Sequence, residues 1–405
     1  MKLLFMELRK QADRKFLVVL VLIFAFAFGI SLNGAKKYNN QVSSLNEMSL
    51  YNAQISVISA IENAQSEKDA DRAAYYEEEA AAYSELVTAY ENKDVPAVIS
   101  ATLQESNNEV SSNKAGIILD DESFNRAKKN VAICSILVKK GIKFYHSPYM
   151  EESYCDGAQA VTSFLQEYLF LLLPIVMMLL FADCLATEIR MGSIKLPLGL
   201  PYSRTRFLWN KYIAGALLGM VALFVAGFGA FLGGTVVAGT GDIRYPILAE
   251  KSFFSVGKEI YIAEWRLWLR AGAVSFCALL FFAAFALFIG VLIRNGIFSL
   301  VFGTILAAGG VFAMRKSLMI SGGVNGFLQY LPFSLTDGVA AGLGKVYQKT
   351  FSFQDDSAGL VSFVSSNTMV VKTAFSGIVF CILLILWSAA FFWLAAAIFR
   401  KRDVL

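Results

Sequence analysis

The side chains best placed to do chemistry lie in residues 183–211, DCLATEIRMGSIKLPLGLPYSRTRFLWNK, a polar stretch between two long apolar runs. It holds five basic residues, Arg190, Lys195, Arg204, Arg206 and Lys211, together with Glu188, two prolines and two glycines. Glu188 and Arg190 directly follow the apolar run, so its helix is expected to continue past the last apolar turn. Pro197 and Pro201 interrupt helix, and Ser203 can cap the next one, with Arg204 and Arg206 in its first turn. The expected shape is helix, break, helix, with a rigid corner that can pass a partner's movement into the flanking spans. A basic loop obeying only the positive-inside bias would have the same charge.

Other chemistries are thinly represented. His146 is the single histidine, which argues against a His-based metal site or a Ser-His-Asp triad; no metal site is expected. The five cysteines form no CxxC pair. Cys184, Cys277 and Cys381 sit in or beside apolar runs and read as small core residues. Cys134 and Cys155 share a polar region and could form a disulfide if that region is outside the cell. A phosphate-cradling loop needs Gly-x4-Gly-Lys followed by a hydroxyl residue. The nearest approach, 342–346, lacks the first glycine at that spacing and the hydroxyl. No ATP site is expected in this chain.

These residues are carried by a membrane protein. Of the 405 residues 56% are hydrophobic and 17% charged, against about 25% charged in soluble domains, and mean hydropathy is +0.55. Apolar runs long enough to cross a bilayer place six spans at 16–32, 163–182, 212–240, 271–293, 297–314 and 373–399. The first could pass for a signal-peptide core, but its length and the Asn33-Gly34-Ala35-Lys36 that follows favour an uncleaved span. The expected class is an all-α membrane protein of six transmembrane helices, with a helical extracellular domain, 33–162, between the first and second.

Residues 1–15 set Leu4, Leu8 and Ala12 on one face amid Lys2, Arg9, Lys10, Arg14 and Lys15. They read as an amphipathic cytoplasmic helix or, from spacing alone, as a frayed basic tail. Residues 36–160 carry 19 acidic against 12 basic residues. There Tyr76, Ala80, Tyr83, Val87 and Tyr90 repeat at heptad-like spacing, and Tyr51, Ile55 and Ile58 begin a second seam. Two such helices are expected to pack as an antiparallel hairpin. Residues 131–138 read as a short strand or a buried helix. Pro174 predicts a kink in the second span. In the third, Gly215, Gly219, Gly229 and Gly233 are small residues at a spacing that lets helices approach closely.

Residues 241–270 are an extracellular connection with Trp265 and Trp268 as interfacial anchors; 315–372 form an extracellular or re-entrant segment, and 400–405 a cytoplasmic tail. Segments 1–15, 183–211, 294–296 and 400–405 together carry 14 basic and 5 acidic residues. That asymmetry puts both termini in the cytoplasm and 33–162 outside. Within the spans as drawn, Glu167 is the only ionisable residue, so a proton- or sodium-driven transporter is disfavoured and the energy source is expected on another polypeptide.

The series Glu188, Gly192, Pro201, Ser203, Arg204 and Lys211, between spans two and three of a six-span layout, resembles the intracellular signature of type-2 ABC exporter permeases. Lys195 and Pro197 depart from that family's usual apolar run. The six-span layout extends the resemblance over the chain; the motif covers about 25 residues of it. The resemblance implies that Glu188, Arg190, Gly192, Pro201, Ser203, Arg204 and Lys211 form the coupling segment that docks on a separate ABC ATPase. It implies two ATPase copies carrying ATP and Mg, and a second permease subunit, identical or different. Membrane lipid is a further partner; nucleic acid is not. The function implied is a bacterial cell-membrane exporter of a peptide, lipid or amphiphilic toxin, an antimicrobial peptide among them. The rival is a non-transporting scaffold or receptor whose helical ectodomain binds partners. A mechanotransmission-type ABC protein usually has four spans, and an intramembrane enzyme would need paired polar residues in the spans.

Overall fold

The computed structural model describes residues 2–66, 70–92, 94–116, 121–143, 156–190, 203–250, 253–254, 259–293, 295–320, 329–355, 361–372 and 375–401. Among the described residues six helices are long and apolar enough to cross a membrane. The end of the bundle bearing the first and last described helices is called proximal, and the opposite end distal.

At the proximal end α1 (Lys2–Gln11) turns into α2 (Arg14–Ser66), where the Asp13 carboxylate accepts a hydrogen bond from Phe16 N at 3.1 Å. Only the first 24 residues of α2 have span composition. The rest continues distally for about 45 Å at the helical rise, so span one and the first helix of the insert are one rod. Helix α3 (Ala70–Glu91) packs on it, α4 (Val95–Lys114) on α3, and α5 (Asp121–Lys140) on α4. Asp94 caps α4 by accepting from Ala97 N, and Pro96 sits in its first turn, where a missing N–H costs nothing.

The tyrosine seam is intradomain packing: Tyr76, Ala80, Tyr83 and Val87 meet Val57 and Ile61 of α2 and Val98 and Ala101 of α4. The shorter seam was phased wrongly. Ile55 and Ile58 are about half exposed, and Val57, two positions from Ile55, faces the core. Residues 131–138 are helical, within α5, with Cys134 and Leu137 buried beside Ile99, Ile142 and Tyr245. Tyr245 belongs to the connection after span three, so the helical insert rests on the distal end of the bundle.

Span two is α6 (Gly157–Phe164), a π-helical turn (Leu165–Leu169) and α7 (Phe170–Arg190). Pro174 offers no N–H to the carbonyl of Phe170, and the widened turn ends at the residue before Phe170, so the irregularity has a covalent cause. Span three is α8 (Arg204–Ala238). The following connection is an antiparallel hairpin of β1 (Pro246–Glu250) and β2 (Glu259–Ala263), which runs straight into α9 (Glu264–Leu292), span four. Span five is α10 (Gly296–Ile320). Beyond it come a 3-10 turn (Pro332–Ser334), α11 (Gly338–Leu343), a second hairpin of β3 (Lys345–Asp355) and β4 (Val361–Lys372), and α12 (Gly377–Lys401), span six. Apolar composition marks only the lipid-crossing part of each helix, so α9 begins before, and α10 ends beyond, the apolar runs. The two hairpins are small additions to an otherwise helical chain.

Span four is the centre: 83% of its most apolar window is buried, against 22–28% for spans one, five and six. Phe281 and Phe285 stack on each other and meet Phe333 and Phe391 edge-on. In lipid, burying apolar area drives little association, so shape and hydrogen bonds must select neighbours. Ser388 Oγ on α12 donates to Leu280 O at 2.9 Å and also bonds Tyr212 OH, while Ser299 Oγ on α10 donates to Ala182 O at 2.6 Å. Phe224, Phe298, Ile305 and Trp393 face outward, as expected of lipid contacts.

Candidate functional site

The sequence predicts a coupling segment whose side chains face a partner; the structure places two of them inside the protein. Glu188, two residues before the end of α7, is 5% exposed, and Lys211, two turns into α8, is 2% exposed. Lys211 Nζ donates to Glu188 Oε1 and to Glu7 Oε2, both at 2.9 Å, and lies 3.8 Å from Cys184 Sγ. Lys10 donates to the same Glu188 oxygen from a half-exposed position. The ammonium of Lys211 also sits 5.0 Å from the centre of the Phe207 ring. Two carboxylates and two ammonium groups thus make a neutral set. Neutrality matters because an unpaired charge at this depth would cost several kcal/mol.

Three elements supply this set: α1, the end of α7 and the start of α8. Glu7 and Lys10 were missed as site residues, although the sequence carries a signal. Leu4, Glu7, Leu8 and Gln11 fall at i, i+3, i+4 and i+7, so the acid occupies the helix face that should be apolar. An acid on such a face needs a buried cation, and Lys211 is it. Arg9, on the opposite side, is exposed.

Ser203 caps α8, its hydroxyl accepting from Arg206 N at 3.3 Å. Arg204 Nη1 donates to Arg400 O at 3.3 Å, and Arg400 Nε and Nη2 donate to Thr205 Oγ1 at 3.0 and 2.8 Å. The last turn of α12 is therefore fastened to the first turn of α8. Gly192 and Pro201 lie outside the described residues, as do Lys195 and Pro197; Arg190 closes α7. What is described is the frame around 191–202: an entry helix and an exit helix locked to each other and to α1 by one buried ion-pair cluster.

The glycines of α8 meet two different neighbours. Gly215 and Gly219 face span two, at Phe181 and Met177. Gly229 and Gly233 face span one so closely that a Cβ would stand 2.9 Å from Phe24 O and 2.5 Å from Phe28 O. Of the proposed cysteine pair, Cys134 is buried in α5 and Cys155 lies outside the described residues. Among the described residues no group of three or more His, Cys, Asp or Glu could hold a metal ion.

Six membrane-length helices with buried ion pairs at their proximal ends define a polytopic membrane protein. The chain belongs to the ABC-2 family of transporter proteins, whose family model matches residues 1–404. Members are membrane subunits that are not themselves catalytic and work with ABC ATPases. No curated protein matches the chain.

Proposed function

We propose that this chain is the permease subunit of an ATP-driven exporter in a bacterial cell membrane. It moves a peptide, lipid or amphiphilic toxin outward while ATP and Mg are bound and hydrolysed on separate ATPase subunits. The proximal end faces the cytoplasm, the helical insert is extracellular, and two ATPase copies act on two permease subunits. The charge bias between the two ends supports this orientation.

The observation that carries the reading is the Glu7–Lys211–Glu188–Lys10 cluster at the base of 191–202. A push on a floppy loop would be absorbed there. A push on a loop whose two stems are pinned together and to α1 moves spans one, two and three as a unit. Glu188 and Lys211 thus serve coupling as internal fasteners, with Ser203 and Arg204 setting the angle of the exit helix. The antimicrobial-peptide option rests on the acidic insert alone, whose net charge suits a cationic cargo.

The test is co-purification of the chain with its ATPase, then ATP hydrolysis and cargo movement measured in proteoliposomes. Glu188→Ala and Arg204→Glu are expected to insert normally and hydrolyse ATP, yet lose transport. Unaltered transport in both would remove the coupling role. Absence of any associated ATPase would favour a non-transporting scaffold.

A further inference from the structure

At the distal end, away from the coupling site, a second buried polar group has no counterpart in the reading above. Glu264, the first residue of α9, is 1% exposed. Trp268 Nε1 donates to Thr162 Oγ1 at 2.8 Å. An indole nitrogen can only donate, so the Thr162 hydroxyl accepts there and spends its one proton on Glu264 Oε1, with which it is hydrogen-bonded. Glu264 Oε2 is buried with no hydrogen-bond partner among the described residues.

Among the described residues the charges around it offer no cation. Asp156, at the head of α6, and Asp242, in the turn after α8, are the described charged groups that act on it, and both are acids. Asp156 caps α6 by accepting from Gln159 N at 2.8 Å. Asp242 is taken by Arg244, with Nη2 2.7 Å from Oδ2 and Nε 3.0 Å from Oδ1, and feels Lys140 of α5 as well. Asp337, at the head of α11 beside the same helix, accepts from Ala340 N. Glu264 makes no ion pair among the described residues. A carboxylate with one donor, two neighbouring acids and no water-exposed face is strongly disfavoured against its neutral acid.

We propose that Glu264 is a proton-binding site, a neutral acid near pH 7 that fastens the distal ends of spans two and four through Thr162 and releases them when it ionises. The neutral acid lets spans two and four lie against each other; the carboxylate must draw in water, a cation or space. Every group that fixes its state lies at the distal end, so the proton exchanges with that side of the membrane.

The full chain in lipid nanodiscs tests this by infrared spectroscopy across about pH 6 to about pH 9, without nucleotide or cargo, so the outcome is independent of the coupling reading. The wild type is expected to show a protonated-carboxyl C=O band at neutral pH that fades as pH rises. Glu264→Gln should lack that band, and Thr162→Val should shift it upward by removing its hydrogen bond. Because the amide mimics the neutral acid and the unfolded carboxyl ionises above about pH 4, Glu264→Gln should melt with the wild type at about pH 4 and increasingly above it as pH rises to about 9. The proposal is overturned by an unchanged band in Glu264→Gln. It is equally overturned if Glu264→Gln fails to fold while Thr162→Val folds, since that would mean the charged form is required.

Discussion

Replacing Lys211 with methionine tests the internal-fastener reading most directly, because the new side chain keeps the length and removes the charge. Glu7 and Glu188 would then face each other without the ammonium that each touches at 2.9 Å. Two oxygens bonded to one tetrahedral nitrogen at that distance lie on the order of 5 Å apart. At an effective dielectric of about 20, their repulsion is about 3 kcal/mol. Lys10 stays on Glu188 and offsets part of it; the lost desolvated pair adds to it. The net cost falls in the range of about 3–5 kcal/mol seen when one partner of a buried pair is removed. Melting of the purified chain should drop by on the order of 5 °C. Adding Glu7→Gln to Lys211→Met should restore stability toward wild type, since the amide removes the repulsion. The double-mutant cycle should therefore give a coupling of at least about 1.5 kcal/mol. Wild-type melting in Lys211→Met, or a double variant no better than the single, would refute the claim that this cluster ties α1 to spans two and three.

Two further outcomes are expected. Gly233→Ala puts a methyl 2.5 Å from Phe28 O and should cost about 1–3 kcal/mol by forcing span one away. Gly227→Ala, with nothing within 4 Å of the added carbon, should leave melting unchanged; equal melting of both variants would sink the close-approach account. In the helical insert, burial and then the neighbouring carboxylates raise Glu79 and Glu105 from 4.5 to about 7. The folded chain then binds more protons than the unfolded one across that window, so stability is greatest at the acid end and falls as pH rises to about 7. Melting at about pH 5 and about pH 8 should show that fall in the wild type and a smaller one in Glu79→Gln/Glu105→Gln; parallel curves would discard it.

Much of the fold was legible because lipid imposes a simple rule. A span must be apolar over about 20 residues, and that shows in composition without knowledge of neighbours. The tyrosine seam was legible for a similar reason, since a heptad-like repeat fixes one helix face. The Ile55–Ile58 seam misled because a few apolar residues fit more than one helix face, and only the packing of Val57 and Ile61 against α3 and α4 decides between them.

The site was legible as residue types and not as an arrangement. Glu188, Ser203, Arg204 and Lys211 stand out by their spacing around the loop, but spacing cannot say whether a charge points to water or inward. That depends on where α1 lies, and its acid, Glu7, is 204 residues from Lys211 along the chain. Glu264 is the same case at the other end. In sequence it reads as one more polar residue in a connection; only the meeting of spans two and four over it removes its water and leaves it one hydroxyl. By itself the sequence determined the six crossings, the acidic helical insert and the basic loop, because each follows from local composition or period. The tertiary structure alone decided which charges are buried and with whom, since the free energy of a charge is set by what surrounds it in space.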